Sequence, residues 1–172
     1  MKTTIVLTLL LLGAVTCSHA QSKSEAGKKK VSKMIGGLPV GTKAPALKVE
    51  EWLSEIPDMK GKFVALDFWG THCGPCISGF AHVNELHRKY KDKIAFIAST
   101  TNEAPEDVYV FEKAPIEFYS MMQKAKAWND DYKIVGIPHM IIVDPKGIVR
   151  FSGNGHDVTD EMLQDLFEKY GR

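Results

Sequence analysis

The 172 residues carry 22 Lys and Arg against 21 Asp and Glu, with 44% apolar residues and three cysteines. So even a charge balance offers no basic stripe for nucleic acid, and three cysteines are too few to staple a mini-protein that lacks a core. The length suits a single domain that buries its own core.

Residues 1–20, MKTTIVLTLLLLGAVTCSHA, set one positive charge at Lys2 ahead of an apolar stretch from Ile5 to Ala14 and end on Ser18, His19 and Ala20. That is the pattern of a secretory signal cleaved after Ala20. The apolar run is well short of the roughly 20 residues that cross a bilayer, so no transmembrane segment is expected after cleavage. Lipoprotein processing at Cys17 is the rival reading, weakened by Thr16 standing where a smaller residue is usual. In both cases Cys17 is removed or capped. Cys73 and Cys76 are then the one thiol pair left in the oxidising space that an exported chain meets, in the periplasm or outside the cell. Residues 21–38, rich in Ser, Lys and Gly, read as a flexible tether in which Lys28, Lys29, Lys30 and Lys33 are simply solvated, and the domain is expected over 39–172.

Along the domain, KFVALDFW (62–69) reads as a buried strand, with Val64, Leu66 and Phe68 on one face and Phe63, Ala65 and Trp69 on the other. Asp67 interrupts it. After Cys73-Gly74-Pro75-Cys76 a helix is expected, with Pro75 in its first turn and Ile77, Phe80, Val83, Leu86 and Tyr90 at helical spacing. KIAFIAST (93–100) is a second buried strand, and Pro105-Glu106-Asp107 opens a short helix. Ile116 to Met121 reads as a strand and Met122 to Tyr132 as a helix. Met140 to Val143 and Ile148 to Phe151 form a hairpin across Asp144-Pro145-Lys146-Gly147. The chain closes with an amphipathic helix capped by Thr159 or Asp157 and burying Met162, Leu163, Leu166, Phe167 and Tyr170. The sum is an α/β domain, a central mixed sheet flanked by helices.

The cysteine pair at the strand-to-helix junction can be a redox couple, half of a metal site or a staple. A thiolate is the attacking species, and the N-terminus of a helix favours it by roughly 0.3 to 2 kcal/mol, about one pKa unit. Cys73, ahead of the helical turn, is the expected nucleophile, and Cys76, inside it, resolves the mixed disulfide. A staple between residues so close closes too small a loop to stabilise much. A zinc site would want a second ligand pair, and the candidates His82 and His87 lie on the helix on faces expected to be partly solvated. No metal is expected. Asp67 in an apolar strand should have a raised pKa and could take the Cys76 proton; the plainer reading, an aspartate satisfied by backbone or water, stands beside it.

DFWGTHCGPC behind a buried strand, with VGIPHMIIVDPKG further on, resembles a thioredoxin-like domain, and the signal, GTKAPAL and MKGKFVALDFWG resemble the exported TlpA/ResA-like disulfide reductases. The resemblance implies a thioredoxin-like fold, Cys73 attacking, Cys76 resolving, Asp67 as buried acid and a cis Pro138, whose isomer would leave the Ile137 backbone free to pair with an extended client segment. It also implies Trp69 beside the client, and His72, Gly74 and Pro75 tuning the couple. Protein disulfides are the implied substrates, a membrane thiol donor the implied electron source, and the Cys73–Cys76 disulfide the only redox group, with no cofactor. Two positions depart from the family: His72 stands where Trp is usual, and Gly79 where some cytochrome-maturation reductases carry Glu. A thiol peroxidase, or a metal-binding or interaction module, is the alternative function. Gly70, where peroxiredoxins want Thr, speaks against the first.

Overall fold

The structure is a computed structural model that describes residues 36–171 apart from 102, 104, 110 and 112. The signal read over 1–20, Cys17 and the tether as far as residue 35 lie outside the described residues. In chain order the elements are β1 (Val49–Trp52), β2 (Phe63–Phe68), α1 (Gly74–Tyr90), β3 (Ile94–Thr100), α2 (Pro105–Tyr109), β4 (Tyr119–Gln123), α3 (Ala127–Asp130), β5 (His139–Val143), β6 (Val149–Gly153), a 3-10 turn (Gly155–Asp157) and α4 (Asp160–Tyr170). They build one six-stranded sheet in the order β1-β4-β3-β2-β5-β6.

β2 holds the middle because both of its faces are apolar. It pairs in parallel with β3, Phe63 opposite Ile94 through Phe68 opposite Ser99, and antiparallel with β5, Val64 opposite Val143 through Phe68 opposite His139. Phe63, Ala65 and Trp69 pack with Phe80, Val83 and Leu86 of α1 and Leu163 of α4. Leu66 and Phe68 pack on the opposite side with Tyr132, Ile134 and Ile141. This is the alternation expected for a strand with period two. Each such side chain, fully buried, stabilises the fold by roughly 1.5–3 kcal/mol. The hairpin turn forms as expected: Gly147, at φ 78°, donates its N–H to Asp144 O at 2.8 Å. Thr159, rather than Asp157, caps α4, accepting from Met162 N; Asp157 belongs to the preceding 3-10 turn.

Three readings change. The helix expected over Met122 to Tyr132 shrinks to α3, because Met121, Met122 and Gln123 are buried as the end of β4, between β1 and β3, and Lys126 takes a left-handed backbone (φ 68°) that restarts the chain. Sheet pairing outweighs helical propensity here. The strand expected from Ile116 starts at Tyr119, since the Asn84 side chain ties up Pro115 O (3.0 Å) and Glu117 N (2.9 Å). β1, for which no expectation was stated, adds a short edge strand containing Glu50 and Glu51. The last residues of the stretch read as tether are packed: Gly36 bridges Ile134, and Gly37 donates to Lys133 O at 2.8 Å. A Cβ on Gly37 would lie 2.4 Å from His139 Nε2 and from Ser152 Oγ, a close approach that only glycine permits.

Candidate functional site

The chain leaves the sheet at Trp69, whose N–H donates to Ser99 O at 3.1 Å, and turns through Gly70, Thr71 and His72 into α1. Cys73 is the N-cap. Its N–H donates to Gly70 O (2.9 Å), its carbonyl accepts from Ile77 N (3.1 Å), and its Sγ accepts from Cys76 N (3.2 Å). A sulfur thus stands where Ser or Asp oxygen usually caps a helix, so any negative charge it gains meets an unpaired N–H and the positive end of the dipole. Gly74 and Pro75 are the first helical residues, and Pro75 lacks only a hydrogen that would have gone unused.

Cys73 and Cys76 are joined as a disulfide, with Cα atoms 5.3 Å apart. Cys73 is half-buried, whereas Cys76 is only 3% exposed. The asymmetry leaves one sulfur open to attack and shields the other. Among the described residues no three His, Cys, Asp or Glu side chains gather as a metal-ligating group. His82 and His87 are both half-buried, and His82 Nε2 meets Val158 O at 2.8 Å.

Asp67 is 6% exposed and its carboxyl has no hydrogen-bond partner among the described residues, so burial pushes it up to about 7. Desolvation of the charged form is the cause. Gly155 covers it: a Cβ there would lie 3.7 Å from Asp67 Oδ1 and 3.1 Å from Met140 Cε. The neighbouring His156 fills the space over Gly79, where a Cβ would come within 2.3 Å of its Nε2. That nitrogen lies 3.1 Å from Pro75 O, and a carbonyl only accepts, so Nε2 carries the hydrogen. Gly79 is therefore small because a histidine from the far end of the chain occupies its side-chain position.

The Ile137–Pro138 bond is cis. Ile137 is half-buried, its Cδ1 would lie 3.5 Å from a Cβ on Gly70, and its backbone makes no hydrogen bond to the described residues. Trp69 is not where a client could touch it. It is fully buried, edge-on to Phe80 (5.1 Å) and Phe111 (4.9 Å), because its strand position faces the core under α1. With Leu53, Val108 and Phe118 it lines a cavity of about 440 Å³.

Two residues of this neighbourhood escaped the sequence reading. Glu103 bonds Thr71 and Thr100, and only the local Thr-x-x-Glu spacing from Thr100 signals it. His156 has no local signal, since its contact with α1 is long-range.

The Redoxin family pattern matches residues 39–168. The chain is similar to the thioredoxin-like protein YneN of Bacillus subtilis, 28% identical over 94% of each chain, and to the thiol-disulfide oxidoreductase ResA of Bacillus anthracis, 31% identical over 96% of this chain and 93% of that one. Among solved structures it is similar to the thioredoxin domain of a thiol-disulfide oxidoreductase from Bacteroides vulgatus, with TM-score 0.61 and 25% identity over 77% of this chain and 97% of that one. A thiol:disulfide interchange protein from Bacteroides sp., at 23% identity and TM-score 0.62 over 78% of this chain and 92% of that one, shares the fold.

Proposed function

The chain belongs to the Redoxin family, among the thiol-disulfide oxidoreductases of thioredoxin-like fold, and from that premise we propose that it is exported and reduces protein disulfides through Cys73 and Cys76. The observation that carries the reading is the half-buried Cys73 capping α1 and bonded to the buried Cys76. In the reduced state the Cys73 thiolate attacks a client disulfide, a mixed disulfide forms, and the departing client sulfur takes a proton. Cys76 then passes its proton to Asp67, attacks the Cys73 sulfur and releases the second client thiol, leaving the Cys73–Cys76 disulfide. A carboxyl held near 7 suits that transfer at neutral pH.

The unpaired Ile137 backbone beside Pro138 offers an extended client segment its hydrogen bonds, and His72, Gly74 and Pro75 set the poise of the couple. No cofactor beyond the pair is needed. A membrane thiol donor supplies the two electrons that restore the dithiol. Export rests on the signal pattern of residues 1–20, and no helix of the described residues is long and apolar enough to cross a membrane.

Trapping tests the roles. Cys76→Ser should accumulate covalent mixed disulfides with clients and Cys73→Ser almost none; equal trapping by both would overturn the assignment. Equilibration with glutathione tests the direction, since a reductant should end mainly as its own disulfide and an oxidant mainly as the dithiol.

A further inference from the structure

A carboxylate from the loop after β3 reaches into the redox turn. Glu103 Oε1 accepts from the Thr71 backbone N–H at 2.8 Å and from Thr71 Oγ1 at 3.0 Å, while Oε2 accepts from Thr100 Oγ1 at 2.9 Å. Thr71 Oγ1 also lies 2.9 Å from His72 Nδ1. A hydroxyl has one proton, and a carboxylate has none to give. The Thr71 proton therefore goes to Glu103, and Oγ1 can only accept from His72. Nδ1 must carry the hydrogen, so the neutral ring keeps Nε2 as a bare lone pair. His72 is exposed, and Nε2 has no partner among the described residues. Thr71 itself is buried, which keeps water from replacing the links on its side of the turn. The cation facing this turn is Lys113, whose Nζ donates to Thr71 O at 3.3 Å.

We propose that Glu103, acting through Thr71, is a positioning residue that holds His72 in its Nδ1–H form, so that Nε2 takes the Cys73 proton as that sulfur attacks a disulfide and returns it to the sulfur that leaves. The balance closes without any outside reagent. The Cys73 S–H bond breaks and its proton goes to Nε2; the bond from Cys73 to one client sulfur forms as the client S–S bond breaks; the electron pair left on the departing sulfur takes the proton from Nε2. The arrangement also alters what a neutral His72 can do for the couple. Its single N–H is committed to Thr71, so it cannot donate a hydrogen bond to the Cys73 thiolate.

The proposal rests on the disulfide-exchange reading, and one set of variants separates the two. The imidazole nitrogens of His72 are followed by 15N NMR in the reduced full chain with the ring in its neutral form. The expected result is the Nδ1–H form in the wild type and in Thr71→Ser, and reversion to a majority Nε2–H form in Thr71→Val. Glu103→Ala, which frees the Thr71 proton to point at Nδ1, should revert in the same way and serves if Thr71→Val does not fold. The second readout is the rate of reduced protein with oxidised glutathione across pH, expected to fall about fivefold in Thr71→Val and to recover in Thr71→Ser. An Nε2–H wild type overturns the proposal, as does a variant that switches tautomer and reacts as fast as wild type. A wild type that does not exchange with glutathione at all removes the disulfide-exchange reading, and the proton role with it.

Discussion

Among the described residues two aspartates are buried, and their environments are opposite. Asp144, at the β5–β6 turn, is 3% exposed; Asp67, in β2, is 6% exposed. Burial works to raise the Asp144 pKa, but the Ile148 N–H and the Arg150 guanidinium, with the Lys146 N–H, outweigh it and hold the carboxyl below its usual value. The links are short: Oδ1 accepts from Lys146 N and Ile148 N at 2.9 Å, and Oδ2 from Arg150 Nε at 2.8 Å. Arg150 in turn stacks on the Tyr170 ring of α4 at 3.6 Å. Among the described residues Asp67 has no such partners, and burial alone pushes it up to about 7. Two carboxyls with little solvent exposure thus titrate on opposite sides of the ordinary carboxylate value, and the hydrogen-bond partners of Asp144 pull its pKa down against its own desolvation.

The largest effect should come from breaking the satisfied site. Asp144→Ala strands a half-buried guanidinium and two backbone N–H groups and should cost about 3–5 kcal/mol in denaturant unfolding; a loss under about 1 kcal/mol would mean that the turn is held otherwise. Next comes the kinetic consequence of the unsatisfied one. Asp67→Asn removes the proposed proton acceptor for Cys76, so decay of the mixed disulfide should slow about 100-fold near neutral pH while the first attack by Cys73 hardly changes. Equal slowing of both steps would place Asp67 outside the resolving step.

The same substitution should raise stability, with a defined pH dependence. The folded protein binds the Asp67 proton more tightly than the unfolded chain, so this group's contribution is full below about pH 4 and declines as pH rises to about 7. Asp67→Asn should therefore gain about 4 kcal/mol over wild type at pH 8 and almost nothing at pH 3.5. Asp144 has the opposite sign: its contribution is present above the ordinary carboxylate pKa and is lost as pH falls through its lowered one. Thermal unfolding of Asp67→Asn and wild type across pH separates the two slopes.

The smallest effect concerns the cover over Asp67. Gly79→Ala forces His156 out of its place over α1, loosening the turn that presses Gly155 on the carboxyl. A cost of about 1 kcal/mol is expected, with the Asp67 titration, followed by carboxyl 13C shifts, moving down toward its ordinary range. An unmoved titration would show that the cover and the acid are independent.

Much of this was legible along the chain. Period-two alternation in β2 depends only on the strand pleat, so the two apolar faces and the inward Asp67 could be read directly, as could the cysteines at the strand-to-helix junction and the 144–147 turn. Thr159 was one of two candidate caps, and only the geometry of the first turn of α4 chose it. The start of the 122–132 stretch was misread because its local preference for helix competes with pairing partners far away in the chain, β1 and β3. Trp69 was placed at the client surface, yet its strand position sends it into the core.

The sequence alone determined where the candidate reagents stand, a cysteine pair at a strand-to-helix junction and an acid inside an apolar strand, because spacing and strand period depend only on neighbours within a few residues. Tertiary structure decided the surroundings. That the Asp67 carboxyl has no hydrogen-bond partner among the described residues, that His156 occupies the side-chain space of Gly79, and that Glu103 reaches Thr71 beside His72, all depend on groups brought together from separate segments. Hydrogen bonds act over about 3 Å, and only the folded chain sets which donors and acceptors come that close.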